Sequence, residues 1–269
     1  MILYPPAKIN LGLHILAKRP DGYHEIETIM AAIPFCDILE ITVADEDAFI
    51  QTGIEVPLDG QPNLCQRAVA LLRRQKDFPN VRIHLRKQIP IGAGLGGGSA
   101  DASYTLLGLN QLFNLNFSTP ELESYAAELG SDCPFFIRGG LQLATGRGEL
   151  LKALPSTGQH FQFVLCNPQL HISTAQAYSG VKPTNARKSI EELFSKENLS
   201  LLHNDFEDSI FLSQPLIANL KKELLAAGAC YAAMSGSGSS VFGLFDKNQK
   251  LSLSPIINKH VVYTGNLSF

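Results

Sequence analysis

Five glycines occupy seven consecutive positions, 92–98, between a stretch typical of a strand and a stretch typical of a helix. Glycine loses the most backbone entropy on folding, so such a cluster predicts positive φ angles or a group that approaches the backbone closely. Before it, residues 81–86 alternate between apolar and polar as in a half-buried strand. After it, Ser99 is predicted to cap a helix. The apolar side of that helix contains Ala102, Leu106, Leu109 and Phe113.

A strand, a glycine loop and a helix N-terminus together form a cradle for phosphate. Free backbone N–H groups and the positive end of the helix dipole face the anion there. The loop lacks the Gly-Lys-Ser/Thr ending of the common P-loop, because Ser99 directly follows Gly98. A tight glycine turn without a ligand is the other interpretation of the spacing.

A dinucleotide fingerprint is a weaker interpretation of the same loop, although Gly92, Gly94 and Gly97 match G-x-G-x-x-G. That fingerprint needs an acidic residue at a second strand end about 20 positions on. Residues 117–121 instead predict a helix start, with a capping box formed by Ser118 and Glu121 and with Pro120 in the first turn. A nicotinamide dehydrogenase is therefore a remote alternative.

Three segments resemble, in order, the three motifs of the galactokinase, homoserine kinase, mevalonate kinase and phosphomevalonate kinase (GHMP) superfamily. They are PPAKINLGLHI (residues 5–15), PIGAGLGGGSADAS (90–103) and MSGSGSSVFGLF (234–245). The resemblance implies an ATP-dependent small-molecule kinase with a two-domain α+β fold. Its N-terminal domain would be like ribosomal protein S5 domain 2, and its C-terminal domain would be ferredoxin-like.

Further segments resemble the superfamily member that phosphorylates a cytidine-diphosphate compound in isoprenoid precursor synthesis. They are KRPDGYHEIET (18–28), NLCQRA (63–68), LGSDCPFFIRGG (129–140), ATGRGE (144–149) and NDFE (204–207). A kinase of the homoserine or mevalonate type is an alternative, but those substrates carry no cytosine for Tyr23 and His24 to recognise. A non-catalytic nucleotide-binding relative is another, but the chain retains both Lys8 and Asp132.

Composition excludes several classes of protein. The 269 residues are 45% hydrophobic and 17% charged with a net charge of −3, which indicates a globular enzyme and no nucleic-acid partner. The N-terminus lacks a signal-peptide pattern, and the longest apolar stretch, residues 224–234, is far below the ~18 residues of a membrane span. We therefore expect a cytoplasmic protein without a membrane partner, and its oligomeric state stays open. Five scattered cysteines without a C-x-x-C pair predict reduced, buried thiols.

A short Pro/Ser/Thr/Gly run at 155–159 predicts a boundary between a nucleotide-binding domain, 1–156, which holds the catalytic residues, and a substrate-side domain, 157–269. Periodicity predicts strands over 8–17, 25–34, 37–43, 81–86 and from 161, and two strands over 229–245. It predicts helices over 63–74, 121–129, 189–194 and 215–227. Residues 45–60 are predicted to form a hairpin or a surface loop.

Phosphorylation of an alcohol needs a held nucleotide, a counter-charge and a base near the hydroxyl. Asp132 is the candidate base and Lys8 its cationic partner, both at positions that match catalytic residues of the superfamily. On sequence alone, a cap for a helix opened by Pro134 is the more common role for an Asp at position 132, and Lys8 fits an edge-strand lysine that faces water; the resemblance favours the catalytic roles instead. Asn10 lies two residues after Lys8, on the same face of a strand, and is predicted to bind the substrate.

The resemblance implies that the second motif binds ATP. The residues concerned are Pro90, Ile91, Gly92, Ala93, Gly94, Leu95, Gly96, Gly97, Gly98, Ser99 and Ala100. Mg²⁺ is expected with the nucleotide, but its ligands are unassigned. Asp101 is predicted in the first turn of the helix, either as a help to Mg²⁺ or as a solvated acid. Ser99 is the other possible hydroxyl on the metal side.

The resemblance also implies a clamp for cytosine. Tyr23 would stack on the base and His24 would hydrogen-bond to it, after a predicted hairpin turn at Asp21 and Gly22. In HISTAQAY, residues 171–178, Thr174 and Tyr178 match the threonine and the second stacking aromatic of the superfamily member. Ser173 stands where that member has a proline.

Overall fold

The computed structural model describes residues 1–57, 60–184 and 187–269, and only the backbone of Lys196 and Glu197. The strands of this part are β1 (Ile2–Leu3), β2 (Pro6–Lys18), β3 (His24–Cys36), β4 (Ile38–Val43), β5 (Ala48–Gly53), β6 (Val81–Lys87), β7 (Leu141–Thr145), β8 (Leu150–Ala153), β9 (His160–Cys166), β10 (Tyr231–Met234), β11 (Val241–Asp246) and β12 (Val261–Ser268). The α-helices are α1 (Leu64–Arg73), α2 (Gly97–Leu112), α3 (Thr119–Leu129), α4 (Cys133–Arg138), α5 (Thr174–Ser179), α6 (Ile190–Leu193), α7 (Glu207–Ser213), α8 (Pro215–Ala226) and α9 (Pro255–His260). A 3₁₀ helix spans Lys196–Leu201.

The strands form sheets of four, ordered β1-β4-β6-β5, β2-β3-β7-β8 and β10-β11-β9-β12. Packing divides the chain into two compact units. The first contains Met1–Lys8, Ala32–Ile91 and Gly96–Gly139, and the second contains Ile9–Ala31, Gly92–Leu95 and Gly140–Phe269. Helices and mainly antiparallel sheets in both units confirm the α+β prediction. The proposed domain boundary at 156/157 stays a prediction.

In the first unit, helices cover one face of the sheet β1-β4-β6-β5. The buried side of α1 (Cys65, Ala68, Val69, Leu71, Leu72) joins the inward residues of β4 and β6 and the apolar side of α2 in one core. The helices contribute buried residues at a repeat of 3.6 residues, and the strands contribute every second residue. Asn63 begins α1 with a capping box, in which its side chain accepts from Cys65 N and its N–H donates to the Gln66 side chain.

The second unit contains the antiparallel sheet β10-β11-β9-β12. Helix α8 packs on β10 and β11 with Ile217, Leu220 and Leu224, which are fully buried. The chain between β2 and β3 turns at residues 19–23, where Arg19 N donates to Tyr23 O and Gly22 has a φ of +86°. The predicted hairpin turn before Tyr23 is therefore confirmed.

Several elements differ from the sequence-based expectation. Residues 45–60, expected as a hairpin or loop, contain β5, which pairs in parallel with β6; residues 58–59 of that stretch lie outside the described part. The elements β7, β8, β12, α5, α7 and α9 had no prediction. All five cysteines are free thiols, but only Cys65, Cys133 and Cys166 are buried. Cys36 is half-buried and Cys230 is exposed, so the prediction of buried thiols is wrong for these two.

Candidate active site

The helix that follows the glycine loop begins without a side-chain cap. Gly96 is its N-cap residue with a φ of 69°, and a Cβ there would lie 2.9 Å from the Phe136 ring and 3.1 Å from Lys8 Cγ. The prediction that Ser99 caps α2 is wrong, because the helix starts at Gly97 and Ser99 is already inside it. A glycine cap leaves the first backbone N–H groups of the helix without a side-chain acceptor, as an anion site requires.

The preceding part of the loop packs against the third motif, within the second unit. A Cβ on Gly94, whose φ is +78°, would lie 1.9 Å from the carbonyl oxygen of Ser235. The Ser235 hydroxyl donates to Gly94 O at 2.9 Å, and Ser240 N donates to Ala93 O at 3.2 Å. Glycine is required at 94 because another segment of the protein occupies the space of a side chain.

Gly98 differs from these glycines. It is exposed, it lies in the first turn of α2 outside the positive-φ glycines, and a Cβ there would be at ordinary contact distance, 3.5 Å, from Leu64. Neither its backbone conformation nor its neighbours in the described structure exclude a side chain. An external group that approaches the helix start closely would explain a glycine at this position.

A buried cluster of three charged side chains lies behind the helix start. Lys87 Nζ is bonded to Asp37 Oδ2 and, at 2.7 Å, to Asp101 Oδ2, and each of the three residues is at most 3% exposed. Asp37 also accepts from the backbone N–H groups of Gln88 and Ile89, which lead into the glycine loop. The cluster therefore ties the end of β6 to helix α2.

Asp101 is not the solvated acid that one of its two predicted roles required. It lies one residue beyond the first turn of α2, and that turn contains no acidic residue. Asp101 is also buried, so the solvated-acid interpretation is wrong. Its carboxylate faces Lys87. Burial is the largest cause that raises the pKa of Asp101, to about 7, and Asp37 adds to it while Lys87 opposes it. Asp101 Oδ1 is buried and makes no hydrogen bond.

Lys8 and Asp132 are brought together in the first unit. Lys8 Nζ lies 3.6 Å from Asp132 Oδ2, and the side chain of Lys8 is 5% exposed whereas that of Asp132 is 32% exposed. The alternative of an edge lysine that faces water is therefore wrong. Asp132 stands at the start of α4, but its side chain makes no capping hydrogen bond, so the cap interpretation is wrong as well. The predicted Pro134 in the first turn of α4 is confirmed.

Asn10 is buried in β2 and belongs to a hydrogen-bonded chain in the second unit. Its amide Nδ2 donates to the hydroxyl of Thr28 at 3.0 Å, and that hydroxyl donates to Gly12 O at 2.6 Å. The N–H of Gly12 in turn donates to the hydroxyl of Tyr231 at 3.1 Å. The side chain of Asn10 is thus held in one orientation.

The aromatic residues predicted to clamp a base form two contacts in the second unit. The rings of His24 and Tyr178 stack with centroids 4.6 Å apart and planes inclined by 16°. Tyr23 is 57% exposed, and the Arg147 guanidinium lies 4.9 Å from the centre of its ring. Burial and the charge of Lys18 lower the pKa of His24. Ser173, which stands in place of a proline, caps α5 by accepting from Gln176 N, and Thr174 is the first residue of that helix.

Sequence reasoning missed several residues that hold these parts in place, above all Asp37, Lys87 and Thr28. One signal was present for Lys87, because it follows Val81, Ile83 and Leu85 at the inward spacing of a strand. NDFE was noted as a segment without a role for any of its residues. Asn204 donates from Nδ2 to Met234 O and Gly236 O, and Glu207 accepts from Met234 N, so the segment supports the third motif.

In the described ranges, no group of three or more His, Cys, Asp and Glu side chains is arranged to hold a metal ion. Within the same ranges, no helix combines the length and apolar composition that crossing a membrane demands.

Comparison with known families assigns the class of this chain. The models described as GHMP kinases N terminal domain and GHMP kinases C terminal match residues 63–140 and 184–259. The chain belongs to the GHMP kinases, as the motifs predicted, and it has their two-domain α+β fold.

Individual relatives narrow the comparison. A 4-diphosphocytidyl-2-C-methyl-D-erythritol kinase of Azobacteroides pseudotrichonymphae is 48% identical over 92% of this chain and 94% of its own length. The kinase of the same name from Parabacteroides distasonis is 44% identical over the full length of both chains. A crystal structure of 4-(cytidine 5'-diphospho)-2C-methyl-D-erythritol kinase is 34% identical, covers 91% of this chain and 90% of its own, and superposes with a TM-score of 0.78.

The buried charge cluster predicts a pH-dependent stability difference for Asp101→Asn. The folded state holds a proton on Asp101 up to about pH 7, whereas the unfolded chain releases it near its ordinary pKa of 3.8. The contribution of this proton to stability is complete below the lower pKa and is lost as the pH rises through the upper one. Asn carries no such proton. As the pH rises between those two values, the free energy of unfolding of the variant should therefore increase relative to that of the wild type by roughly 1 kcal/mol or more.

Urea denaturation of both proteins at a series of pH values measures this difference. Above about pH 7 the two free energies of unfolding should run parallel, because both states have then lost the proton. If the difference in unfolding free energy between variant and wild type does not change with pH between the two pKa values, the raised pKa of Asp101 is contradicted.

Proposed function

We propose that this protein transfers the γ-phosphoryl group of ATP to the 2-hydroxyl of 4-diphosphocytidyl-2-C-methyl-D-erythritol, a step of non-mevalonate isoprenoid precursor synthesis. One observation carries the proposal: the Lys8–Asp132 pair lies beside the uncapped start of α2, where Lys8 Cγ is only 3.1 Å from a Cβ built on Gly96. An ammonium, a carboxylate and a helix N-terminus at one place are the groups that phosphoryl transfer to an alcohol needs.

In this proposal Asp132 takes the proton of the substrate hydroxyl. Its carboxylate is about one-third exposed and makes no capping bond, so a hydroxyl can reach it. Lys8 is almost fully buried and holds a positive charge close to the oxygens that gain negative charge during transfer. Asn10, oriented by Thr28, contributes a contact to the substrate.

The nucleotide would lie on the second motif, residues 90–100, with its phosphates at the start of α2. There the backbone N–H groups of the first turn and the helix dipole attract the anion. Mg²⁺ would enter with the nucleotide and neutralise part of the phosphate charge, because this ion usually keeps several waters and takes few protein oxygens beside phosphates. We assign no protein ligand to it.

The cytidine group of the substrate would be recognised by Tyr23, His24 and Tyr178, with Thr174 close to Tyr178 at the start of α5. The exposed ring of Tyr23 offers a stacking surface, and the ring of His24 offers nitrogens that can distinguish one base from another. The stacked pair of His24 and Tyr178 presents both groups from the same part of the second unit. A cytoplasmic location accords with such a small-molecule substrate and is part of the proposal.

A substrate panel tests the proposal as a whole. Release of ADP should be rapid with 4-diphosphocytidyl-2-C-methyl-D-erythritol and at background with homoserine or mevalonate. Release with homoserine or mevalonate alone would replace the proposed substrate by that of another GHMP kinase. The absence of ADP release with every alcohol would remove the kinase assignment.

Gly98→Ala should change stability and nucleotide binding in opposite directions. Alanine favours a helix over glycine by about 1 kcal/mol, and the new Cβ has room beside Leu64, so the melting temperature should stay equal or rise. The same Cβ would obstruct a phosphate at the helix start, so calorimetry should show weaker binding of a non-hydrolysable ATP analogue, and Gly98→Val should weaken it further. Unchanged affinity in both folded variants would place the phosphates elsewhere.

Asp132→Asn should leave the fold and both binding steps intact and lower kcat by about 10²- to 10⁴-fold, the usual contribution of a general base. The absence of a capping bond means that the melting temperature should not fall. Rapid-quench single-turnover rates measure the chemical step. Lys8→Met should also slow it, and the double variant should lose less than the sum of the two effects if the pair acts as a unit.

Asp47→Asn is a matched control for this series, because Asp47 is a partly exposed carboxylate paired with Arg73 in the same unit. Its rate should equal that of the wild type. A near-normal rate for Asp132→Asn would remove Asp132 from the chemistry.

Tyr23→Ala and Tyr178→Ala should each weaken binding of the cytidine substrate by roughly 1–3 kcal/mol, the range for lost base stacking. Binding of the ATP analogue should barely change. Tyr4→Ala is the control, since Tyr4 is an equally exposed tyrosine of the first unit. Equal losses for both ligands would mean that the base-binding pocket is assigned wrongly.

A further inference from the structure

The segment of Asn204 to Glu207 is buried, although it makes no contact that the proposed transfer uses. Asn204 is fully buried and Glu207 is 1% exposed. Polar side chains are rarely buried so completely unless their hydrogen bonds are satisfied within the protein. The partners of these two side chains therefore indicate what the segment supports.

Asn204 binds both ends of one short stretch of the third motif. Its Nδ2 donates to Met234 O and to Gly236 O, each at 2.8 Å, while its Oδ1 accepts from Phe206 N at 3.1 Å. The two amide hydrogens of Asn204 thus bind the carbonyl groups on either side of Ser235. These bonds fix both the side chain and the path of the backbone through Ser235.

Glu207 binds the same stretch through the backbone N–H of Met234. Its Oε1 accepts from Met234 N at 2.8 Å, and its Oε2 is paired with Lys221 Nζ. The paired ammonium compensates the buried carboxylate, which can then serve as a fixed acceptor. Asn204 and Glu207 together, named here the brace, bond the N–H and the carbonyl of Met234.

The stretch held by the brace is the one that contacts the glycine loop. The Ser235 hydroxyl donates to Gly94 O at 2.9 Å, and the carbonyl of Ser235 occupies the space where a Cβ of residue 94 would lie. A continuous series of hydrogen bonds and close contacts therefore runs from Asn204 through Ser235 to Gly94, and every member belongs to the second unit.

We propose that Asn204 is a positioning residue for nucleotide binding: it orders the Gly92–Leu95 part of the glycine loop through the Ser235 turn, without touching the nucleotide. The inference rests on the proposed function, in which this loop binds ATP. Asn204→Ala would remove the hydrogen bonds that the side chain donates to the carbonyl groups of Met234 and Gly236. The loop would then sample more conformations, and ATP binding would have to order it.

The test compares Asn204→Ala with Asp205→Asn, a control in the same segment. Asp205 bonds to Arg187 and to Ile15 N instead of the turn. Calorimetry would measure the affinity of each protein for a non-hydrolysable ATP analogue and for the cytidine substrate, below the melting temperature. Asn204→Ala should weaken binding of the ATP analogue by roughly 2- to 30-fold, the usual range for residues that affect a binding site without contacting the ligand. The cytidine substrate should be affected less, and Asp205→Asn should leave ATP affinity unchanged.

Amide hydrogen exchange supplies a readout that needs no ligand. Asn204→Ala should lower the protection of residues 93–95 and 234–240, while Asp205→Asn should not. Unchanged ATP affinity in folded Asn204→Ala would overturn the inference, as would equal weakening of both ligands or an equal effect of Asp205→Asn. If Asn204→Ala does not fold, Ser235→Ala, which removes only the bond to Gly94 O, decides by the same criteria.

Failure of the proposed function would look different. A wild-type protein that binds no ATP analogue would contradict ATP binding, while hydrogen exchange would still show whether Asn204 orders the loop.

Discussion

The ammonium of Lys87, held between the carboxylates of Asp37 and Asp101, is the interaction on which the junction of β6, the glycine loop and α2 depends. Removing charges from water costs several kcal/mol for each ion, so such a cluster persists only where its hydrogen bonds are nearly complete. Here Asp37 accepts two backbone N–H groups besides Lys87. These N–H groups belong to the residues that lead into the glycine loop, and Asp101 belongs to the helix that leaves it. The cluster thereby fixes the distance that the loop must span.

The cluster also explains the raised pKa of Asp101. Two carboxylates share one ammonium, so the ionised cluster carries a net negative charge although all three residues are buried. Asp101, with one oxygen that makes no hydrogen bond, is the member whose ionisation is least compensated. Burial first, and the nearby charge of Asp37 second, raise its pKa, while Lys87 opposes the shift. A proton on Asp101 would leave Lys87 and Asp37 as a neutral pair.

The elements that could be predicted from sequence are those specified by local signals. Helix α1 and helix α3 have their capping boxes and apolar periodicity within a few residues, and β2 has a long apolar run. Strand β5 was missed because its partner is β6, about 30 residues further along the chain, and its own residues read as a polar surface loop. Pairing at such a separation leaves little trace in a local pattern.

The errors at the candidate site have a similar cause. Ser99 was expected to cap α2 because serine is a favoured cap, but the close approach of Phe136 and the turn of the chain place a glycine there instead. One of the two interpretations of Asp101 placed it in solvent, because its partner, Lys87, could be found only by reading the inward face of a neighbouring strand. Lys8 and Asp132 were paired by resemblance alone, since 124 positions separate them in the sequence.

The proposed chemistry needs polar groups that already point the right way before a ligand arrives, and the hydrogen-bonded chain at Asn10 shows how that is achieved. The hydroxyl of Thr28 has one proton, and it gives this proton to the carbonyl of Gly12, which can only accept. Toward Asn10 the hydroxyl can therefore only accept, so the amide nitrogen of Asn10 must face it. The amide cannot flip without breaking this bond. The hydroxyl of Thr28 thus fixes the orientation of the Asn10 amide, and in the proposed transfer this amide would need no reorganisation.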